Sequence, residues 1–146
     1  KTTNNEGPHL FLPSDAIIAT DPASETGHKV VDISKVEEGY SIFDIGPRTT
    51  KLYIQELLAA KTVIWNGPMG IVETKAYSGG TKAVAEAMAQ MTRRGGLSII
   101  GGGDSASAVR DLNLWNEMTH ISTGGGASLE LLAGKELPAM VALEMV

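Results

Sequence analysis

The apolar positions of this chain change their period about a third of the way along. Before Pro47 they fall in short runs: Leu10-Phe11-Leu12 up to Pro13, Ala16-Ile17-Ile18-Ala19 after Asp15, Val30-Val31-Asp32-Ile33, and Ile42-Phe43-Asp44-Ile45. Runs of that length, rich in β-branched residues and bounded by turn formers, predict short strands. Between them Asp21-Pro22-Ala23-Ser24-Glu25-Thr26-Gly27 reads as a structural loop. From Pro47 on, Leu52, Ile54, Leu57 and Leu58 stand near helical spacing, which predicts a helix opening on Pro47 and ending before Lys61.

Strand and helix then alternate. Thr62 to Trp65 leads to a helix around Thr81 to Arg93, on which Val84, Met88 and Met91 form one core-facing stripe. Leu97 to Ile100 leads to a short helix from about Ser105 to Leu112. Thr119 to Ile121 leads to another from about Ala127 to Leu132, with Gly134 placed to end it as the C′ residue. The order β-α-β-α-β-α implies right-handed crossovers and a parallel sheet with helices on both faces, a doubly wound α/β layer of the Rossmann-like kind.

Each of these three strands ends in a glycine-rich turn: Asn66-Gly67-Pro68-Met69-Gly70, Gly101-Gly102-Gly103-Asp104-Ser105, and Ser122-Thr123-Gly124-Gly125-Gly126. Glycine lets backbone N–H groups approach an anion, and the helix that follows adds about half a positive charge at its N-terminus. One such turn is ordinary turn chemistry. Three at the same end of successive parallel strands point to a phosphorylated ligand in the crevice outside the carboxyl ends of the strands.

Asp104 follows the second turn where a carboxylate suits Mg²⁺ held mainly by substrate phosphates; the alternative is that Asp104 and Ser105 cap the helix. Glu73, beyond the first turn, is a candidate acceptor for ribose hydroxyls or else a solvated surface carboxylate. Ser122 and Thr123 offer hydroxyls, and the glycines after them offer amide donors for a moving phosphoryl group or a hinge. His120 reads as a structural strand-end histidine. No turn contains Lys or Arg, so any charge on a transferred phosphoryl group has to be offset by cations from another segment.

Composition narrows the partners. The chain has 146 residues, 42% of them hydrophobic, and a formal charge of -5, which suit one core of ordinary size. Without a Lys/Arg cluster there is no basic face to release counterions, which argues against nucleic acid or an anionic membrane. The absence of cysteine excludes disulfides and thiolate metal sites and is compatible with a cytoplasmic location. The polar start Lys1-Thr2-Thr3-Asn4-Asn5-Glu6 lacks the apolar run of a signal peptide, no stretch reaches membrane-spanning length, and the missing initiator Met suggests a processed or incomplete chain. The apolar C-terminal stretch Leu137 to Val146 follows the last expected helix and seeks a partner surface.

Ile45-Gly46-Pro47, Trp65-Asn66-Gly67-Pro68-Met69-Gly70 with Glu73, Ile100-Gly101-Gly102-Gly103-Asp104-Ser105, and His120-Ile121-Ser122-Thr123-Gly124-Gly125-Gly126-Ala127-Ser128-Leu129-Glu130 resemble phosphoglycerate kinase in order and spacing. Gly134-Lys135-Glu136-Leu137-Pro138 agrees, and the resemblance runs from about Leu10 to the end. It implies that residues 1–146 are the C-terminal part of the nucleotide-binding domain. The implied enzyme is a monomeric, cytoplasmic, glycolytic kinase that moves a phosphoryl group between ATP/ADP and 3-phosphoglycerate/1,3-bisphosphoglycerate with Mg²⁺. On the resemblance Glu73 binds the ribose, and Asn66, Gly67 and Pro68 line the same site. Gly102, Gly103, Asp104 and Ser105 lie along the phosphates, with Asp104 toward the metal. Gly103 and Gly126 turn their amides to the transferred phosphoryl group, and Ser122 and Thr123 fall at a hinge.

Tyr77 and Val72 depart from the family's usual residues. The sugar-acid site and the phosphate-steadying lysines are implied to lie upstream, and the tail 137–146 is implied to dock on an N-terminal domain. The segment alone is expected to be inactive. Two other readings stand beside this one. A nucleotide-sensing module would bind as strongly alone as in any longer chain. A dehydrogenase fragment is disfavoured because no turn spells G-x-G-x-x-G with a following acidic residue.

Overall fold

The structure, a computed structural model, describes residues 9–144; the polar start Lys1 to Glu6 and the final Met145 and Val146 lie outside the described residues. Two three-stranded sheets form. β1 (Asp15–Ala19), β2 (Lys29–Asp32) and β3 (Ser41–Ile45) make an antiparallel sheet in the order β2-β1-β3. β4 (Thr62–Asn66), β5 (Leu97–Gly101) and β6 (His120–Ser122) make a parallel sheet in the order β4-β5-β6. The helices are α1 (Pro47–Ala59), α2 (Gly79–Arg93), α3 (Gly103–Asp111), α4 (Gly125–Leu132) and α5 (Pro138–Glu144).

The parallel half is the expected α/β layer, with α2 and α3 as the crossovers. Trp65 and Ile100 point to one face of the sheet and form a core with Val84, Ala85, Met88 and Ala89 of α2, Val109 of α3, and Met118. Val84, Met88 and Met91 are all buried, and each contributes about 1.5–3 kcal/mol relative to an exposed side chain. The opposite face carries Ile64, Ile99 and His120, and with Leu129, Leu131 and Leu132 of α4 it encloses a cavity of about 230 Å³. Gly134 closes α4 as expected. Its φ is 73°, its N–H donates to Leu131 and the N–H of Lys135 donates to Glu130, the paired bonds of a Schellman end.

Two expectations need correcting. Leu10-Phe11-Leu12 is not a strand: all three residues are exposed, and the Phe11 carbonyl instead accepts the Tyr53 hydroxyl at 3.1 Å. Both sides of β1 are taken by β2 and β3, so the run does not pair with the strand that follows it. The early runs do form short strands, and they pair antiparallel in a sheet of their own. Of the C-terminal apolar stretch, Pro138–Glu144 form the helix α5, with Met140 and Leu143 exposed.

Two carboxylates tie the sheets to the helices. Neither α1 nor α2 has a side-chain cap of its own. Asp15 on β1 accepts the N–H groups of Arg48 (3.0 Å) and Thr49 (2.8 Å) at the start of α1. Asp44 on β3 accepts the N–H of Gly80 (2.8 Å) at the start of α2. A negative charge at a helix N-terminus meets both the unpaired N–H groups and the positive end of the dipole.

Candidate functional site

The three glycine turns meet at the carboxyl end of β4-β5-β6. Parallel register sets Asn66 beside Gly101, and Gly101 beside Ser122. The Asn66 side-chain amide donates to the Gly125 carbonyl at 3.1 Å, joining the first turn to the third. The Gly102 N–H donates to the Ser122 carbonyl at 3.0 Å, joining the second to the third. The Gly67 N–H donates to Ser105 Oγ at 2.8 Å, joining the first to the second.

Glycine is required at two of these positions. Gly102 has φ of 96°, a conformation L side chains rarely adopt. A Cβ on Gly125 would stand 2.8 Å from the Gly102 Cα, a backbone contact that cannot swing away. Gly103 and Gly126 differ: a Cβ on either meets nothing within 4 Å, so space stays open above the first turns of α3 and α4. Their N–H groups are among the first of each helix, where no intrahelical partner exists.

Asp104 lies in the first turn of α3, exposed, and its carboxylate takes no hydrogen bond from the described residues. The capping alternative does not hold. No side chain caps α3, and Ser105 is fully buried with its oxygen given to Gly67. No three His, Asp or Glu side chains cluster as a metal cage among the described residues. A lone exposed carboxylate beside free helix N–H groups fits a hard cation held chiefly by phosphate oxygens.

Ser122 is half-buried and Thr123 exposed. The Ser128 hydroxyl reaches Ser122 Oγ at 3.2 Å and the Gly124 carbonyl at 2.9 Å. His120 is an exposed strand residue. Pro68 sits within the first turn, whose Trp65 indole N–H donates to the Gly67 carbonyl. Glu73 is exposed in the loop between β4 and α2, and no hydrogen bond joins it to the glycine cluster among the described residues. Its neighbour Val72 does line a cavity of about 120 Å³ with Ala108 and Asp111 of α3 and with Leu112 just beyond it.

The sequence reading missed Thr81, whose hydroxyl accepts the N–H groups of Met69 (2.9 Å) and Gly70 (3.3 Å). It also missed Asp44. A Cβ on Gly70 or Gly80 would run into that carboxylate, so both glycines exist to admit it. Asp44 carries its own signal only as a polar residue in an apolar run, Ile42-Phe43-Asp44-Ile45. Five basic residues that form ion pairs, Arg48 with Asp32 and Asp15, Lys29 with Glu37, Lys82 with Glu86, Lys135 with Glu130 and Arg93 with Glu117, pair with no residue of the glycine turns.

Fold and turns together define a class: a Rossmann-like α/β protein that closes the carboxyl end of its parallel sheet with anion-ready helix N-termini. The family model described as phosphoglycerate kinase matches residues 1–135, and the chain belongs to the phosphoglycerate kinase family. The phosphoglycerate kinase of Chloroflexus aggregans is 47% identical over 138 residues, 94% of this chain and 34% of that protein. The one from Pelodictyon phaeoclathratiforme is 52% identical over 139 residues, 95% of this chain and 35% of that protein. The solved phosphoglycerate kinase of Coxiella burnetii superposes with a TM-score of 0.80 at 45% identity, covering 90% of this chain and 33% of that one. That of Pyrococcus horikoshii gives 0.74 at 34% identity, covering 90% and 32%. The chain thus spans about a third of the length of the relatives it matches.

Proposed function

We propose that this chain is the nucleotide-side part of a kinase that moves the terminal phosphoryl group of ATP to the carboxylate of 3-phosphoglycerate, giving ADP and the acyl phosphate of 1,3-bisphosphoglycerate, and the reverse. The observation that carries the reading is the joining of all three glycine turns through Asn66, Gly102 and Ser105 in a chain of this family.

Glu73 accepts the ribose hydroxyls, with Asn66, Gly67 and Pro68 along the nucleotide. Gly102, Gly103, Asp104 and Ser105 border the phosphates. The N–H groups of Gly103 and Gly126 face the phosphoryl group in flight, where fixed donors stabilise spreading charge. When bound, Mg²⁺ offsets the charge of the phosphates, and Asp104 is the residue that would hold it. Ser122 and Thr123 are the hinge. Catalysis here is positioning and electrostatics, without a covalent intermediate. The sugar acid and the missing cations are assigned to a preceding N-terminal domain, on which residues 137–146 dock. The whole enzyme is read as cytoplasmic and monomeric; among the described residues no helix is long and apolar enough to cross a membrane.

The test pairs intact mass with a coupled assay for ATP and 3-phosphoglycerate. The 15.3 kDa chain alone is expected to be inactive. The whole protein is expected to turn over and to lose most of that activity on Asp104→Ala. Turnover by the short chain overturns the division of labour, and a fully active Asp104→Ala protein overturns the metal assignment. ADP binding without turnover in the whole protein indicates a nucleotide sensor, and a preference for NAD over ADP indicates a dehydrogenase fragment.

A further inference from the structure

The loop between β4 and α2 is fastened at both ends and free in the middle. On the near side Gly67 is tied to Ser105, Met69 and Gly70 to Thr81, and the Ile71 N–H to the Phe43 carbonyl at 3.0 Å. Val72 and Glu73 come next, and neither makes a hydrogen bond among the described residues. On the far side the chain is tied again, to the loop between β1 and β2. Thr74 Oγ1 donates to the Pro22 carbonyl at 2.8 Å, and the Lys75 N–H to Glu25 Oε1 at 3.2 Å. Tyr77 Oη donates to the Ser24 carbonyl at 2.7 Å, with the Asp21 carbonyl at 3.3 Å.

We propose that Thr74 and Tyr77 are positioning residues for Glu73: they clamp its loop to residues 21–25 and so hold the carboxylate for the ribose hydroxyls of a nucleoside di- or triphosphate. This rests on the proposed ribose role of Glu73. Tyr77 is fully buried against Phe43, ring centroids 5.2 Å apart, and Thr74 is buried too. A phenylalanine would fill the same volume, so the hydroxyl serves the Ser24 carbonyl and not the packing. The loop it reaches is mostly exposed from Asp21 to His28 and supplies no residue to the core, so fastening it adds little burial. What the fastening orders is the segment that begins one residue after Glu73.

The experiment compares ADP with 2′,3′-dideoxy-ADP by calorimetry in the whole protein, and reads KM and kcat for ATP. Wild type is expected to prefer ADP, and Glu73→Gln to abolish the preference. The shape-conserving double variant Thr74→Val with Tyr77→Phe is expected to lose about three- to tenfold in ADP affinity, the effect of one or two net hydrogen bonds. Its dideoxy-ADP affinity stays at the wild-type value, and KM rises while kcat holds. An unchanged ADP preference in the double variant, with Glu73→Gln still effective, overturns the clamp and leaves the ribose site standing. Equal weakening of both nucleotides also overturns it, since that is the mark of general loosening. A wild type with no preference overturns the ribose role and the clamp together.

Discussion

The side-chain amide of Asn66 donates to the carbonyl of Gly125 across 59 residues of chain, so the end of the first parallel strand grips the start of α4. The same amide group lies against Gly101 and Gly102, where a Cβ would come within 3.2 and 3.4 Å of it. Asn66→Ala removes the donor and is expected to cost about 1 kcal/mol. Asn66→Asp is expected to cost more, because it sets a carboxylate against a carbonyl in place of the donor. Urea unfolding checks both. The midpoint should fall in the order wild type, Ala, Asp, with an unchanged denaturant slope.

Three glycines in the two helix starts separate packing from ligand approach. Gly125→Ala forces a Cβ against the backbone of Gly102 and is expected to destabilise by about 1–3 kcal/mol. Gly103→Ala and Gly126→Ala add a methyl group in open space within a helix, which is expected to be neutral or to stabilise by up to about 1 kcal/mol. If their N–H groups face the transferred phosphoryl group, both proteins melt at or above the wild-type temperature yet lose kcat. Full activity in both would remove them from the catalytic set.

The parallel layer was legible because its signals are local. Apolar runs, helical stripes and glycines after strands all lie within a few residues of each other, and every strand and α-helix from Pro47 to Leu132 formed where they indicated, within two residues at each end, while the 3-10 turns Lys75–Tyr77 and Trp115–Glu117 carried no such signal. The turns were legible for the same reason. What joins them was not, since Asn66 finds Gly125, Ser105 finds Gly67 and Asp44 finds Gly80 only after the chain has folded. The antiparallel sheet was half legible: its strands were visible as runs, but their pairing is a long-range choice. Leu10-Phe11-Leu12 and β1 look alike as runs, yet β1 is paired on both sides and buried while the other run is exposed. The helix α5 was hidden because an apolar run carries no period that separates strand from helix.

Acid should act on the three structural aspartates in opposite directions. Burial pushes the Asp15 carboxyl up, but the Thr49 hydroxyl, the N–H groups of Arg48 and Thr49 and the Arg48 charge bring it below the usual 3.8. Asp32 is held down at about 2, first by the Ser34 hydroxyl and N–H and then by Arg48. Both therefore contribute stability above 3.8 that is lost as pH falls through their lower values. Asp44 is raised by burial against the pull of the Gly80, Ile45 and Gly79 N–H groups. Its folded form takes up a proton first, so its charge opposes stability above its own value and that opposition is relieved as pH falls. Carboxyl NMR titration should find Asp44 above 3.8 with Asp15 and Asp32 below it. Ser34→Ala should raise Asp32 more than Arg48→Met does, because the hydroxyl is the larger cause.

Asp104 and Ser105 are adjacent in sequence and opposite in role. Ser105 is buried and accepts the Gly67 N–H, so Ser105→Ala strands a donor and is expected to cost about 1–3 kcal/mol. Asp104 is exposed and caps nothing, so Asp104→Asn is expected to lose only the charge–dipole benefit of a first-turn carboxylate, about 0.3–1 kcal/mol. Ligand binding should reverse the ranking. Calorimetry with ADP in chelator should find Asp104→Asn equal to or tighter than wild type, because a negative charge has left the phosphate site. With Mg²⁺ added, wild type should tighten and Asp104→Asn should not. If Mg²⁺ strengthens ADP binding equally in both, the metal rests on the phosphates alone, and Asp104 serves only the helix on which it stands.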